Sequence, residues 1–427
     1  MEKLNLVIWE DTSHKDFYPL SLMHPLFELR SGAFSFIERA RAFFPESKLF
    51  VLCREELTPL MKQKNFRTNI GEIDTRLPTL LLNGKAFFNK RAIGNIAIAK
   101  NPTVFLSQDI PVALYLPAGN DAATKYFTSI PDESVYRKIM SLYEAVELDV
   151  PILNSLWEIV AHNGKFIEED FLTFYRRRVV QYTGESQIAM NNPNDIYIGS
   201  DVKIDAFSVL DASEGPIIIE RGARIHSGAV IYGPAVICPE SWVMPYARIR
   251  GETTIGPVCR VGGEVEASVI LGYSNKYHDG FLGHSFIGEW VNFGALTTNS
   301  DLKNNYHEIR VAMPTGEIAT GLNKVGIFVG DHTKFGIGTL LTSGTTVGVG
   351  ANLYGGGIFP KYIPSFIWGS NSDGFVHYKI EKAIETAKIV MERRGVRLGE
   401  HYKILLQRIF GFFTEDRTAF IVEQKRR

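Results

Sequence analysis

A six-residue period of apolar side chains runs through the second half of this 427-residue sequence. Apolar residues recur every six positions over 219–261 and again over 329–359, with shorter runs at 198–204 and 287–293. This period matches neither the 3.6 residues of a helical turn nor the alternation of a single strand. It predicts a parallel β-helix over residues 196–374, in which three hexapeptides form one triangular coil and each contributes one inward apolar side chain.

Three stretches interrupt the period. Residues 205–218 break its phase, and the interior of 301–324 carries polar residues at most of the expected positions. Val261 and Ile287 are separated by 26 residues, two more than four hexapeptides. We therefore expect NKYHDG (275–280) and residues 301–324 to leave the β-helix as loops. Loops on a rigid scaffold are where functional residues concentrate.

A single histidine, His284, follows the second interruption in the segment GHSFIG. It lies where a loop is predicted to meet a rigid coil, which is a suitable place to hold a base beside a cleft. Two alternatives stay open from the residues alone. His284 could be a corner residue hydrogen-bonded to backbone, and the adjacent His278 and Asp279 could be the titratable groups that contact a substrate.

The rest of the chain divides by its pattern. Residues 1–150 alternate short apolar runs with amphipathic stretches, which predicts an α/β domain with a mainly parallel sheet. Strands are expected at 4–10, 48–53, 79–84 and 103–107, and helices at 34–44 and 55–63. Residues 151–195 form a connector whose stretch 156–171 is expected to be helical. Residues 375–427 form a C-terminal segment with helices at 380–395 and 401–413.

Net charge, cysteine spacing and the length of the apolar stretches argue against several classes of function. The net charge is −1 and gives no electrostatic case for nucleic acid or an anionic membrane. Three cysteines without CxxC spacing predict no disulfide framework and no zinc site, as in a reducing compartment. No apolar stretch approaches the roughly 20 residues of a membrane span, and the N-terminus is interpreted as a first strand. The expectation is a cytoplasmic protein.

The segments NKYHDGFLGHSFIGEWVNFGAL (275–296) and DLKNNY (301–306) resemble the acetyltransferase half of the bifunctional N-acetylglucosamine-1-phosphate uridyltransferases, the GlmU family. The chain resembles still more closely a GlmU-like group of sugar-phosphate nucleotidyltransferases. The resemblance implies a degenerate, Rossmann-like nucleotidyltransferase domain followed by a left-handed β-helix and C-terminal helices. It also implies a homotrimer.

The resemblance assigns roles to individual residues. His284 would be the catalytic base, and Asn292 would hold the sugar side of the acceptor. Arg250 would bind the acceptor phosphate, a task that suits the guanidinium fork, and Lys276 could serve the same anion. Lys303 and Tyr306 lie where the family's loop closes over the acceptor.

The sequence also departs from the family pattern. Leu296 stands where a glycine is typical, and Asp301 stands where asparagine is frequent. GHSFIG is one residue shorter than the GlmU pattern, so the family's tyrosine has no counterpart. These differences predict an acceptor pocket that differs from one built for glucosamine 1-phosphate.

The predicted nucleotidyltransferase domain lacks several expected groups. The stretch DTSHKDFY (11–18) has no glycine, although such domains hold triphosphate on a glycine-rich loop. Leu26 replaces the expected lysine after Pro25, and Asn83 replaces an acidic metal ligand, which weakens any Mg²⁺ site. Arg30, Gly32 and Lys85 are the candidate nucleotide-binding residues. No metal site is predicted, and Mg²⁺ is expected only if this domain is active.

The sequence thus favours an acyltransferase of nucleotide-sugar biosynthesis that uses acetyl-CoA or another acyl-CoA. Its acceptor would be an amino-sugar phosphate or a nucleotide sugar. The chemistry needs a base for the amine proton, a donor for the thioester oxyanion and an anchor for an anionic acceptor. Two alternatives remain: a Mg²⁺-dependent sugar-1-phosphate nucleotidyltransferase, alone or combined with acyl transfer, and a non-catalytic β-helix scaffold.

Overall fold

The structure, a computed structural model, describes residues 3–179, 184 and 187–426. It separates into two compact units. The N-terminal unit comprises Met1–Phe17, Met23–Arg30 and Phe34–Ser155. The β-helix unit comprises Tyr18–Leu22, Ser31–Ala33 and Leu156–Arg427, so two short N-terminal segments group with the β-helix.

The first part of the chain is an α/β fold. Its strands are β1 Asn5–Trp9, β2 Arg30–Ser31, β3 Phe34–Ser35, β4 Lys48–Leu52, β5 Thr79–Asn83, β6 Thr103–Ser107, β7 Ile110–Leu116 and β8 Glu144–Glu147. Its helices are α1 Phe36–Phe43, α2 Thr58–Gln63, α3 Lys90–Ala97, α4 Ala122–Tyr126 and α5 Glu133–Leu142. The four predicted strands are confirmed to within one residue. Helix α2 is shorter than predicted and begins at Thr58.

The main sheet of the N-terminal unit has the strand order β4-β1-β5-β7-β6-β8. Strand β1 is parallel to β4 and β5 and completely buried, as expected for an apolar run in a parallel sheet. The prediction of a mainly parallel sheet is wrong for β7, which is antiparallel to β5 and β6. Gln108 and Asp109 both have φ above +50°, which suits the two-residue hairpin between β6 and β7. No glycine marks that turn, so the sequence pattern missed it.

The β-helix has three faces of stacked parallel strands. Face 1 contains the strands Ile196–Ile198, Ile217–Ile219, Ala235–Ile237, Thr253–Ile255, Val269–Gly272, Phe286–Glu289, Ile327–Val329, Thr345–Val347 and Tyr362–Ile363. Face 2 contains Lys203–Ile204, Arg224–Ile225, Trp242–Val243, Arg260–Val261, Asn275–Lys276, Asn292–Phe293, Lys334–Phe335, Asn352–Leu353 and Ile367–Ser370, followed by the antiparallel strand Gly374–His377. Face 3 contains Ala189–Asn191, Val209–Asp211, Val230–Tyr232, Arg248–Ile249, Glu264–Glu266 and Phe281–Gly283, and then a separate sheet of Thr298–Asn299, Thr339–Leu341 and Gly357–Ile358.

The six-residue period predicts the core correctly. The side chains at the periodic positions of 219–261 and 329–359 are all buried in one apolar cluster. Consecutive coils stack in register, as in the pairing of Ile219 with Ile237 and of Ile237 with Ile255. Each strand therefore places an apolar side chain directly above one from the coil below, and the core extends in one dimension.

The interruption between Val261 and Ile287 has a different structure from the predicted loop. The chain forms five units there, three of them shorter than six residues, with Val265, Ile270 and Leu282 in the core. NKYHDG therefore does not leave the β-helix as a whole, because its first two residues form a face 2 strand. The prediction for 301–324 is confirmed in part. This excursion carries a hairpin of Arg310–Met313 and Gly316–Ala319. The stretch 205–218 contains a regular strand, Val209–Asp211.

Two faces of the β-helix are covered within its own unit. Helices α6 Leu156–Ala161 and α7 Asn163–Asp170 pack on face 1, and the 310–319 hairpin packs on the same face near Thr346. The outer side chains of face 1 are buried as a result. Helices α8 Ile380–Glu392, α9 Glu400–Phe412 and α10 Thr414–Gln424 follow the last coil, and Arg394, just after α8, donates to Asn275 on face 2. Two of these helices were predicted, and α10 was not. Face 3 carries the more exposed side chains.

Candidate active site

His284 lies at the corner that follows the face 3 strand Phe281–Gly283. Its backbone φ of +47° is uncommon for a residue with a side chain. Hydrogen bonds on both sides hold this conformation: the His284 amide donates to the Glu266 carbonyl at 3.0 Å, and the His284 carbonyl accepts from the Gly326 amide at 2.8 Å. The position of the ring is thus set by the stacking of adjacent coils.

The imidazole of His284 pairs with a carboxylate. Nδ1 of His284 lies 2.7 Å from Oδ2 of Asp301, and the two side chains are 17% and 15% exposed. Burial raises the pKa of Asp301, but the hydrogen bond and charge of His284, together with Lys324, outweigh it and hold that pKa below its usual value. An ionised Asp301 accepts the proton on Nδ1, which leaves Nε2 as the nitrogen able to take a proton.

Asp301 is the first residue of the 301–324 excursion and lies beside this corner. The two ends of the excursion are joined there, because the Val325 amide donates to the Asp301 carbonyl at 2.9 Å and Leu302 bridges to Lys324. Gly283 makes room for the carboxylate: a Cβ at this position would lie 2.5 Å from Oδ2 of Asp301. The glycine before the histidine is therefore a requirement of the His284–Asp301 contact.

Arg250 lies on the same face as this pair, just after the strand Arg248–Ile249. Its Nη1 is 3.2 Å from Oε1 of Glu264 and 3.4 Å from Oε2 of Glu266. The Glu266 carboxylate also forms an ion pair with the Lys324 amine at 3.7 Å. The backbone carbonyl of Glu266 accepts a hydrogen bond from the His284 amide. One strand, Glu264–Glu266, thus lies between Arg250 and His284 and contacts both.

The remaining candidates of the β-helix lie elsewhere. Lys276 occupies an inward position in register with Val261, and its amine donates to the carbonyls of Gly262 and His278 at 2.9 and 2.7 Å. Burial lowers the pKa of Lys276 to about 8. Asn292 is on face 2, in register with Asn275, so the structure does not bring it to the His284 corner of the same chain.

Lys303 and Tyr306 lie together in the first part of the excursion. Tyr306 is exposed and Lys303 is half-buried, and the Tyr306 amide donates to the Lys303 carbonyl at 2.9 Å. Sequence reasoning did not select Asp301, Glu266 or Lys324 as site residues. The one available signal was that Asp301 departs from the family pattern.

The candidates of the predicted nucleotidyltransferase domain have different hydrogen-bond partners. The Arg30 guanidinium donates to Glu38 at 2.7 Å. Lys85 is 6% exposed, and its amine donates to the Ser13 hydroxyl at 2.7 Å and lies 3.4 Å from the equally buried Asp11 carboxylate. Gly32 belongs to the β-helix unit, where its amide donates to Asn163 Oδ1 at 2.7 Å.

A divalent metal does not fit the residues at the end of β1. Oδ1 of Asp11 accepts from the Ser13 amide and hydroxyl, and Oδ2 accepts from Asn83 and pairs with Lys85. The neighbouring carboxylate, Glu10, is paired with the buried Arg54. Mg²⁺ prefers carboxylate oxygens that it can coordinate with water, and here both carboxylates are engaged by protein cations. No step of the chemistry below uses a metal.

Comparisons with known proteins find similarity to a nucleotidyl transferase family and to bifunctional proteins. Residues 6–179 match the family described as sugar nucleotidyl transferase. A bifunctional sugar-1-phosphate nucleotidylyltransferase/acetyltransferase of Sulfurisphaera tokodaii is 35% identical over 34% of this chain and 37% of its own length. The bifunctional protein GlmU of Aromatoleum aromaticum is 28% identical over 58% of this chain and 54% of its own.

The chain is similar to GlmU proteins over about half of its length. Another GlmU, from Synechococcus elongatus, is 25% identical over 48% of the chain and 46% of that protein. The chain therefore spans about half, or less, of the length of these curated relatives. A solved UDP-N-acetylglucosamine acyltransferase from Campylobacter jejuni is 14% identical over 52% of the chain and 93% of its own length, with a TM-score of 0.28. Across the described residues, no helix combines the length and apolarity of a membrane span.

Proposed function

We propose that this GlmU-like chain is an acyl-CoA-dependent acyltransferase that modifies an amine on a sugar phosphate or nucleotide sugar. The observation that supports it most is the His284–Asp301 pair at a corner of face 3. A histidine oriented by a carboxylate is the arrangement that general-base catalysis uses to take a proton from an attacking group. The name of the relative from Sulfurisphaera tokodaii, which joins sugar-1-phosphate nucleotidyl transfer with acetyl transfer, supports the same class of substrate.

The chemistry assigned to the chain balances without a metal. The acceptor nitrogen attacks the thioester carbonyl carbon, and Nε2 of His284 takes the amine proton as the C–N bond forms. The tetrahedral intermediate then breaks its C–S bond, and the leaving thiolate receives the proton from His284. An amide and free CoA thiol are the products. Asp301 stabilises the imidazolium between the two transfers.

Face 3 offers different surroundings on the two sides of His284. Toward the earlier coils lies Arg250, whose guanidinium pairs with Glu266 and suits the phosphate of an anionic acceptor. Toward the later coils lie the exposed apolar side chains of Leu340 and Ile358, which are in register on adjacent strands. The acceptor is assigned to the charged side and the acyl-CoA to the apolar side.

Thiol release from acyl-CoA tests this function. Acetyl-CoA and longer acyl-CoA donors would be screened against amino-sugar phosphates and nucleotide amino sugars. The variant His284→Ala should lower kcat by about 100- to 10,000-fold, the range typical of a lost general base. Unchanged thiol release in this variant would contradict the assignment.

A matched control exists on the same β-helix. His226 also lies at a corner, with Nδ1 3.3 Å from Oδ2 of Asp205, and it lines neither side of the proposed site. His226→Ala should leave kcat within about twofold of wild type. An equal loss in both variants would show that the effect comes from damage to the β-helix.

The other expectations drawn from the family resemblance remain predictions. A homotrimer and a cytoplasmic location are expected and can be measured by light scattering and fractionation. The alternative of sugar-1-phosphate nucleotidyl transfer is favoured by the match over residues 6–179. It would be demonstrated by pyrophosphate release from UTP and N-acetylglucosamine 1-phosphate in the presence of Mg²⁺.

A further inference from the structure

A cavity of about 590 Å³ opens on face 3, on the charged side of His284. Its lining comes from four successive coils and includes Asp211, Tyr232, Arg248, Arg250 and Glu264. The acceptor site proposed above uses only its near end, at Arg250. The far end contains an aromatic ring and further polar groups that a sugar monophosphate has no means to contact.

The two arginines form a single anion-binding group. Oε2 of Glu264 lies 2.7 Å from Nη2 of Arg248, and Oε1 of the same carboxylate lies 3.2 Å from Nη1 of Arg250. One carboxylate therefore holds two guanidinium groups side by side and half-exposed to the cavity. Paired guanidinium forks suit a group that carries two phosphates, because each fork can bind one phosphate by two hydrogen bonds.

The length of the cavity decides between a monophosphate and a longer ligand. Three strand spacings separate Phe281–Gly283 from Val230–Tyr232, which is about 14 Å. In a 2-amino-hexose 1-phosphate only four covalent bonds join the amine nitrogen to the phosphorus, a reach of about 5 Å. A monophosphate with its amine at His284 therefore ends at Arg250 and leaves Tyr232 uncontacted.

The far end of the cavity has the groups that bind a nucleoside. The Tyr232 side chain is exposed and lines the cavity, where its ring offers a surface for stacking a base. Asp211 and Glu214 line the same end, and carboxylates of this kind hydrogen-bond ribose hydroxyls in nucleotide sites. Asp211 is in register with Tyr232 on the adjacent strand.

We infer that the acceptor is a nucleoside-diphosphate amino sugar, bound along face 3 with its diphosphate on Arg248 and Arg250 and its nucleoside at Tyr232. This inference rests on the proposed acyl transfer at His284 and specifies its substrate class. The sugar amine lies at His284, and the ligand extends along the β-helix axis toward the earlier coils.

Calorimetry with nucleoside diphosphates tests the nucleoside end independently of catalysis. UDP, dTDP and GDP would be titrated into the full chain. At least one should bind in the micromolar range, and Tyr232→Ala should weaken it at least tenfold, whereas Tyr232→Phe should bind like wild type because the stacking ring is retained. His284→Ala should also bind like wild type, because His284 contacts only the sugar. Absence of binding by all three nucleotides overturns the inference.

Matched controls separate the cavity from the rest of the surface. Tyr246 is an exposed tyrosine outside the cavity lining, and Arg221 forms a half-exposed ion pair with Glu240 at 3.1 Å. Tyr246→Ala and Arg221→Ala should leave nucleotide binding unchanged, whereas Arg248→Ala should weaken it. Equal weakening by the cavity and control variants would overturn the assignment to this cavity.

Thiol release distinguishes failure of the inference from failure of the proposed function. Each nucleotide amino sugar would be compared with the corresponding amino-sugar 1-phosphate. The expected result is a kcat/KM at least tenfold higher for the nucleotide sugar, and a KM that rises in Tyr232→Ala for that substrate alone. A higher kcat/KM for the 1-phosphate overturns the nucleoside subsite and leaves acyl transfer standing. No thiol release with either class overturns the proposed function, and nucleotide titration still decides whether the cavity binds a nucleotide.

Discussion

The two units of this protein each contain a basic side chain paired with an aspartate, and the pairs differ in what surrounds them. In the N-terminal unit, the Lys85 amine and the Asp11 carboxylate are 6% exposed, and both oxygens of Asp11 are already engaged. In the β-helix unit, His284 and Asp301 are more exposed. Within the described part of the chain, the imidazole is hydrogen-bonded only through Nδ1.

This difference is the one that we expect between a structural ion pair and a pair that acts in proton transfer. A buried ion pair with all its partners present has no capacity left for a substrate, and its removal affects mainly the folding free energy. A histidine bound through one nitrogen keeps the other for proton transfer. The first unit thus resembles a nucleotide-binding domain in sequence, while its polar groups at the end of β1 bind one another.

The largest expected effect tests the buried pair. Lys85→Met leaves the Asp11 carboxylate without its cation, which should lower the free energy of unfolding by about 3 to 5 kcal/mol. Urea denaturation measures this loss. Thiol release by the folded fraction should stay within about twofold of wild type. A variant of wild-type stability with lost activity would contradict the structural role of Lys85.

A second prediction uses the pH dependence of an inward lysine. The pKa of Lys276 is lowered from 10.5 to about 8 because burial removes water from its ammonium. Between pH 8 and 10.5 the unfolded chain therefore holds more protons than the folded chain, so the stability contribution of this residue rises with pH. The free energy of unfolding of wild type, relative to Lys276→Met, should rise by about 3 kcal/mol across this range.

Denaturation of both proteins at pH 7.5, 9 and 10.5 measures the effect. Lys276→Met should keep the wild-type KM for the acceptor. A large increase in that KM without a pH-dependent change in relative stability would show instead that Lys276 binds the acceptor anion.

The third prediction breaks the reactive pair. Asp301→Asn keeps the shape of the side chain but removes the charge that stabilises the imidazolium, so kcat should fall by about 100-fold with little change in KM. The expected loss corresponds to about 2.7 kcal/mol of transition-state stabilisation. Asp205→Asn, in the His226 pair, is the matched control and should leave kcat unchanged. Equal kcat for Asp301→Asn and wild type would remove Asp301 from the mechanism.

The sequence predicted most of the core and less of the site. Ile219, Ile237 and Ile255 lie where the period requires because every coil repeats the same inward position. The six-residue spacing does not hold between Val261 and Ile287. Shortened units there keep the coils stacked, although they contain fewer than six residues. Lys276 occupies an inward position, and a pattern of apolar residues does not reveal a position that a lysine fills.

His284 was selected as a candidate by its place in the interrupted period and by the family resemblance, and its role stays a prediction. Asp301 could not be paired with it, because 17 residues separate them and the contact depends on a corner closing beside an excursion. Asn292 was grouped with His284 on the family resemblance. Residues eight positions apart in a hexapeptide repeat fall on different faces, and the structure places Asn292 on face 2.

What the sequence by itself determined is the repeating element: a six-residue unit with one inward apolar side chain, whose stacked copies bury a continuous core. Local periodicity is sufficient for that, because each coil contacts mainly its neighbours. Only the tertiary structure decided which polar groups meet. The His284–Asp301 pair, the Glu264 carboxylate between two arginines and the buried Lys85–Asp11 pair all join residues from different strands or loops. Their contacts depend on distances across the fold, which no repeat in the sequence encodes.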